Sequence, residues 1–225
     1  MKAIRFHGNQ DLRYDDVPVA PVGPDQVKIA PEWCGLCGSG LSPLNSVLLT
    51  IDLHEYLEGP HYSPAGPHPI TNEDLPRTFG HEFAGTVVDV GSNVKDIKPG
   101  DKVSVYPLLY DGTCSRCKAG HPNICENLGF YGISGWGGGL SEAVSVNRDH
   151  VYKLPANMTT ELGGIPSLLR SLICSSMRTS RGCLACCETG GLQAKYVSGF
   201  TCFNRQIKQL SSSVPVRLAL LCCFA

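Results

Sequence analysis

Gly80-His81-Glu82-Phe83-Ala84-Gly85-Thr86-Val87-Val88-Asp89-Val90-Gly91 decides how the chain is read. Phe83 to Val90 is rich in valine, a residue that fits the pleated surface of a buried strand. Gly91 then supplies a turn. Working outward, Pro99-Gly100-Asp101 is a second turn that leads into an expected strand at Lys102–Tyr106. Upstream, Lys2–His7 reads as a strand, with a turn at Gly8-Asn9-Gln10 and a second strand after it, and Val27–Ile29 is extended. Five prolines from Pro60 to Pro76 make that stretch a loop. Downstream, Leu140–Val146 alternates larger and smaller residues, and Val151–Leu154 closes the series before Pro155. Short strands divided by glycine and proline predict a mainly β fold, a barrel or sandwich. No strand–helix–strand alternation is read before residue 162.

The 225 residues suit one domain, or one and a half. Hydrophobic residues make up 42%, ordinary for a globular protein, and the net charge of −1 argues neither for nor against a charged partner. No apolar run of transmembrane length occurs. The start, Met1 to Leu12, carries no signal-type core. An intracellular, cytoplasmic protein is therefore expected, with no membrane or nucleic-acid partner. The average conceals a step. Up to Leu162 there are 12 basic and 19 acidic residues; from Gly163 there are seven basic residues and one acid, Glu188. All seven histidines precede the step. The expected division is a domain at 1–162 and an unrelated, largely irregular, disordered tail at 163–225. Leu168, Leu169, Leu172 and Ile173 suit one short helix there.

Twelve cysteines are many for a reducing compartment, where clusters more often mean metal than disulfide. A His81-Glu82 pair alone is weak evidence. Cys34-Gly35-Leu36-Cys37 admits a redox pair, one ligand with a bystander, or two buried thiols. Asp111, Cys114, Cys117 and Cys125 form a stronger group, because zinc accepts both thiolate and carboxylate. In the tail, Cys183, Cys186 and Cys187 lack the partner pair that a zinc finger needs.

Six strings together select a family. They are Cys34-Gly-Leu-Cys-Gly-Ser39, Asp52-Leu-His-Glu-Tyr56, Gly80-His-Glu-Phe-Ala-Gly85, Pro99-Gly-Asp-Lys-Val103, Asp111-Gly-Thr-Cys114 and Gly135-Trp-Gly-Gly-Gly-Leu-Ser-Glu142. Their order resembles the zinc-containing medium-chain alcohol and polyol dehydrogenases, the 2,3-butanediol dehydrogenases in particular, over roughly residues 1–162. The resemblance implies a GroES-like β-barrel with a zinc lobe. It implies a catalytic zinc on Cys37, His81 and Glu82, and a proton relay through Ser39 and His54. It also implies a structural zinc on Asp111, Cys114, Cys117 and Cys125, with Asp111 where the family has a first cysteine. The reaction implied takes a small secondary alcohol or diol to a ketone, with NAD receiving the hydride. A homo-oligomer, or association with full-length relatives, is implied as well.

Two features depart from that pattern. Gly40–Ile51 separates Ser39 from Asp52, and its removal would restore an uninterrupted motif, so these twelve residues read as an inserted loop. After Gly163 the family's Glu-Pro-Leu stretch does not follow, and no Gly-x-Gly-x-x-Gly succeeds a strand. The Rossmann half is expected to be absent and the NAD site with it. The expectation is a truncated, impaired zinc-dependent alcohol or diol oxidoreductase. The alternative is a non-catalytic zinc-binding structural or interaction module.

Overall fold

The computed structural model describes residues 1–37, 51–60 and 66–164, together with Gln206, Gln209 and residues 215–219. In chain order the strands are β1 (Lys2–Gly8), β2 (Asp11–Asp16), β3 (Gln26–Gly35), β4 (Arg77–Thr78), β5 (Glu82–Val90), β6 (Lys102–Val105), β7 (Leu108–Leu109), β8 (Gly129–Phe130), β9 (Val144–Asn147), β10 (Val151–Lys153) and β11 (Arg217–Ala219). The helices are α1 (Ile51–Glu58), α2 (Ser115–Lys118) and α3 (Thr160–Gly163). Among the described residues there is no parallel strand–helix–strand unit of the dinucleotide-binding kind, and no helix is long and apolar enough to cross a membrane.

β1 and β2 form a hairpin with Phe6 opposite Leu12, and β4 pairs with the other edge of β1. The larger sheet runs β10-β6-β5-β3-β11, and β9 also pairs with β3. Both sheets turn their apolar faces to one core that includes Ile4, Phe6, Ile29, Phe83, Val103 and Val146. Phe6 stacks on Phe79 with centroids 4.9 Å apart, which joins the hairpin to the segment ahead of His81. Each such buried side chain contributes about 1.5–3 kcal/mol over an exposed one.

The path of β3 brings the chain to Cys37. Val27, Ile29 and Pro31 face inward on odd positions, as period-two geometry requires. The register against β5 then slips between Pro31 and Trp33. A bulge of this kind inserts one residue and reverses the parity beyond it. Cys34, with no exposed surface, is therefore inside, and Leu36 and Cys37 follow it into the interior.

Two expectations need adjustment. Leu140–Val146 is not one strand; regular pairing begins at Val144. The Ser141 hydroxyl donates to the carbonyls of Gly138 (2.7 Å) and Ala143 (2.9 Å), which holds a turn where alternation suggested extension. Ile51, the last residue of the expected insertion, opens α1 and so belongs to the helix that carries Asp52. The residues before it, 38–50, lie outside the described residues, and so does the helix expected near Leu168. Within the expected irregular tail, residues 217–219 form β11, and Val216 is buried in the main core.

Candidate metal centre

Cys37 follows β3, His81 precedes β5 and Glu82 is its first residue. One ligand atom from each lies within 4.8 Å of the others, and all three side chains are buried. Gly80 sets the approach. Its φ of +97° lies in the region that glycine tolerates, and a Cβ there would meet Cys34 Sγ at 2.6 Å. The Gly80 carbonyl accepts the Gly139 N–H (2.7 Å), so the glycine-rich stretch Gly137–Gly139 packs as bare backbone against the residue before His81.

Asp52 completes the group. It reaches in from the first turn of α1 and is 1% exposed. Its Oδ2 accepts the Cys37 N–H at 2.9 Å, and its Oδ1 is 3.3 Å from His81 Nδ1. Burial opposes a charge on the His81 ring, but Asp52 and the Cys37 side chain outweigh it and hold the imidazole pKa well above its ordinary value. Burial, with Asp52 and Glu82, pushes the neighbouring Cys34 thiol well up, which makes it an inert core residue rather than a nucleophile.

The set fits a divalent cation. Thiolate, imidazole and carboxylate are the donors zinc takes, and three protein ligands leave one position for a substrate oxygen. Asp52 and Glu82 are both buried acidic side chains, and a bound cation would offset charge carried there. A carboxylate behind a metal-binding histidine is the usual support for ring orientation.

A second group lies in a lobe between β7 and β8. Asp111, Cys114, Cys117 and Cys125 each place one donor within 4.8 Å of the rest. Cys114 caps α2 by accepting the Cys117 N–H at 3.4 Å, and Cys125 Sγ accepts N–H bonds from Asp111 (3.5 Å) and Asn127 (3.3 Å). Backbone bonds to the Cys114 sulfur hold its thiol below the ordinary value. Asp111 Oδ1 accepts the N–H groups of Cys114 (3.0 Å) and Thr113 (2.7 Å), and Oδ2 accepts Asn127 Nδ2 (2.7 Å). Those backbone bonds hold the carboxyl far below its usual range, so it is a permanent anion. Burial and the adjacent sulfurs push the Cys117 thiol up to about 12, and a bound cation would reverse that, since coordinated thiols are deprotonated.

The alcohol dehydrogenase GroES-like domain model matches residues 23–156. The chain belongs to that family. (R,R)-Butanediol dehydrogenase of Bacillus subtilis is 42% identical over 166 residues, covering 73% of this chain and 43% of that protein. The crystal structure of the 2R,3R-butanediol dehydrogenase from Bacillus subtilis superposes with a TM-score of 0.63, again over 73% of this chain and 43% of that one. The uncharacterized zinc-type alcohol dehydrogenase-like protein YdjJ of Escherichia coli is 36% identical over 163 residues, with 72% of this chain and 41% of that protein covered. The chain thus spans less than half the length of these relatives. The sheets and lobe described above are this family's GroES-like fold.

Of the residues expected at the sites, Cys37, His81 and Glu82 are brought together, and so are Asp111, Cys114, Cys117 and Cys125. Ser39 lies outside the described residues. His54 is half-buried on α1, with Nε2 3.3 Å from Glu58 Oε2. Its position on the helix differs from that of the inward-facing Asp52, Leu53, Glu55 and Tyr56. The role of Asp52 at the site was not read from the sequence, although its motif was. Asp52 is remote from His81 along the chain, and only the packing of α1 brings them together.

Proposed function

We propose that this chain is the metal-binding, alcohol-orienting part of a zinc-dependent oxidoreductase of small secondary alcohols or vicinal diols, with NAD as the hydride acceptor of the complete reaction. The buried convergence of Cys37, His81 and Glu82, with Asp52 behind the ring, carries this reading. The identity to (R,R)-butanediol dehydrogenase supports the substrate class. Zinc held there would act as a Lewis acid and lower the pKa of an alcohol oxygen. Cys37 and Glu82 supply anionic donors. His81 would present one ring nitrogen to the metal while Asp52 Oδ1 faces Nδ1 at 3.3 Å. Ser39 takes the alcohol proton, and His54, close to solvent and to Glu58, passes it outward. The lobe residues Asp111, Cys114, Cys117 and Cys125 would hold a second, structural zinc.

A second reading is a zinc-binding structural or interaction module without catalysis. One observation suits it: Asp111, Cys114, Cys117 and Cys125 form a complete four-donor group in the lobe between β7 and β8. Metal analysis of the purified chain, paired with NADH fluorescence titration and a butanediol oxidation assay, separates the two. Two zinc ions per chain with cofactor binding and turnover support the catalytic reading. Two zinc ions with neither leave the module. A chain that carries no zinc at Cys37, His81 and Glu82 would sink the catalytic reading, and one that carries none at either donor group would sink both.

A further inference from the structure

We propose that the C-terminal segment of this chain is a two-point clamp on the elements that carry the metal residues: β11 closes the outer edge of β3 beside Cys37, and Gln206 ties α1 to β2. The proposal rests on the metal reading of Cys37, His81 and Glu82.

β3 has two edges. β5 covers one of them from Val27 to Gly35. On the other, β9 covers only Gln26 to Ile29. Beyond that point β11 takes the edge in parallel, with Arg217 opposite Trp33, Leu218 opposite Cys34 and Ala219 opposite Gly35. Gly35 is also opposite Glu82 on β5. Ala219, Gly35 and the ligand residue Glu82 are therefore aligned across three neighbouring strands, with Cys37 just past the end of the central one. An open edge at this point would expose backbone donors and acceptors to water and to other chains, and edges of that kind fray and capture strands. Val216, 4% exposed, enters the main core immediately before β11 and anchors it.

The second point is independent of the first. The Tyr56 hydroxyl donates to Gln206 Oε1 at 2.8 Å, and Gln206 Nε2 donates to the Leu12 carbonyl at 3.3 Å. Tyr56 is one helical turn from Asp52 on α1, on the same inward face. The segment thus holds both the strand that delivers Cys37 and the helix whose aspartate supports His81. Metal ligands need such backing, since loss of supporting contacts costs roughly 10–100-fold in affinity.

The test uses the full chain and Co²⁺ as the probe. Three thiolates in the lobe and one at the Cys37 site give distinguishable cobalt absorption. Leu218→Pro removes an N–H from β11 and fixes its φ, which a paired strand does not accommodate. The expected result is about tenfold weaker cobalt binding at Cys37, His81 and Glu82, an unchanged lobe site and faster amide exchange at Trp33–Gly35. Gln206→Leu should shift cobalt binding the same way by less. The clamp is overturned if the Cys37 site keeps its affinity in both variants, or if both metal sites weaken together, as general loosening would cause. Cobalt confined to the lobe in the unaltered chain would instead defeat the metal reading itself, and the clamp would fall with it.

Discussion

Asp52 shows how much one side chain carries at this site. It is buried, it fixes the Cys37 backbone through Oδ2, and it faces His81 through Oδ1. Asp52→Ala should weaken zinc at Cys37, His81 and Glu82 by about 10–100-fold and leave the lobe metal in place. Asp52→Asn, which keeps an acceptor for the Cys37 N–H, should fall between. Competition with a chromophoric chelator measures this, and native affinity in the alanine variant would remove Asp52 from the site. At this scale the donors were legible, because Cys37, His81, Glu82 and the lobe residues stand in short strings whose chemistry is local. Asp52 was not legible as a partner. An aspartate early in a helix reads equally as a favourable charge at the helix start, and nothing nearby in the sequence distinguishes the two uses.

At the scale of elements, the segment from Phe79 to Glu82 is held between the glycine-rich stretch and the β3 strand. Gly80→Ala places a methyl group 2.6 Å from Cys34 Sγ and 2.9 Å from the Leu140 nitrogen, at a φ of +97°. The backbone strain alone is worth roughly 1–3 kcal/mol. Melting should fall by on the order of 2–4 °C per kcal/mol, and the metal content of the Cys37 site should drop with it. Calorimetry of the zinc-loaded variant checks both, and an unchanged melting temperature would mean that the loop yields freely. Phe83–Val90 and Lys102–Val105 were readable as strands because valine and flanking turns act locally. The bulge after Pro31 was not, although it decides that Cys34 points inward, because a register slip is a property of two strands. The turn at Ser141 was missed for a related reason: its hydroxyl competes with the ladder, and alternation alone does not report that competition.

For the whole molecule, ion pairs at the surface bind distant stretches together. Arg148, after β9, holds Asp96 through Nε at 2.9 Å and also through Nη2. The guanidinium lowers the Asp96 carboxyl from 3.8 to about 2. A carboxyl depressed on folding stabilises the fold above its ordinary value, and the contribution is lost as pH falls through about 2. Arg148→Leu should return the Asp96 titration to near 3.8 and move the start of acid unfolding to higher pH. Carboxyl NMR against pH checks the first and circular dichroism the second; an unmoved Asp96 would place the cause elsewhere. The sequence by itself determined which donors the chain carries, which stretches are extended and that a GroES-like barrel follows, since composition, turns and family strings act over a few residues. Only the tertiary structure decided that α1 sets Asp52 behind His81, that a bulge turns Cys34 inward, and that residues 217–219 take the open edge of β3. Each of these joins stretches far apart in the chain, and which long-range pairing wins depends on edge hydrogen bonds and core packing, which no short window of sequence contains.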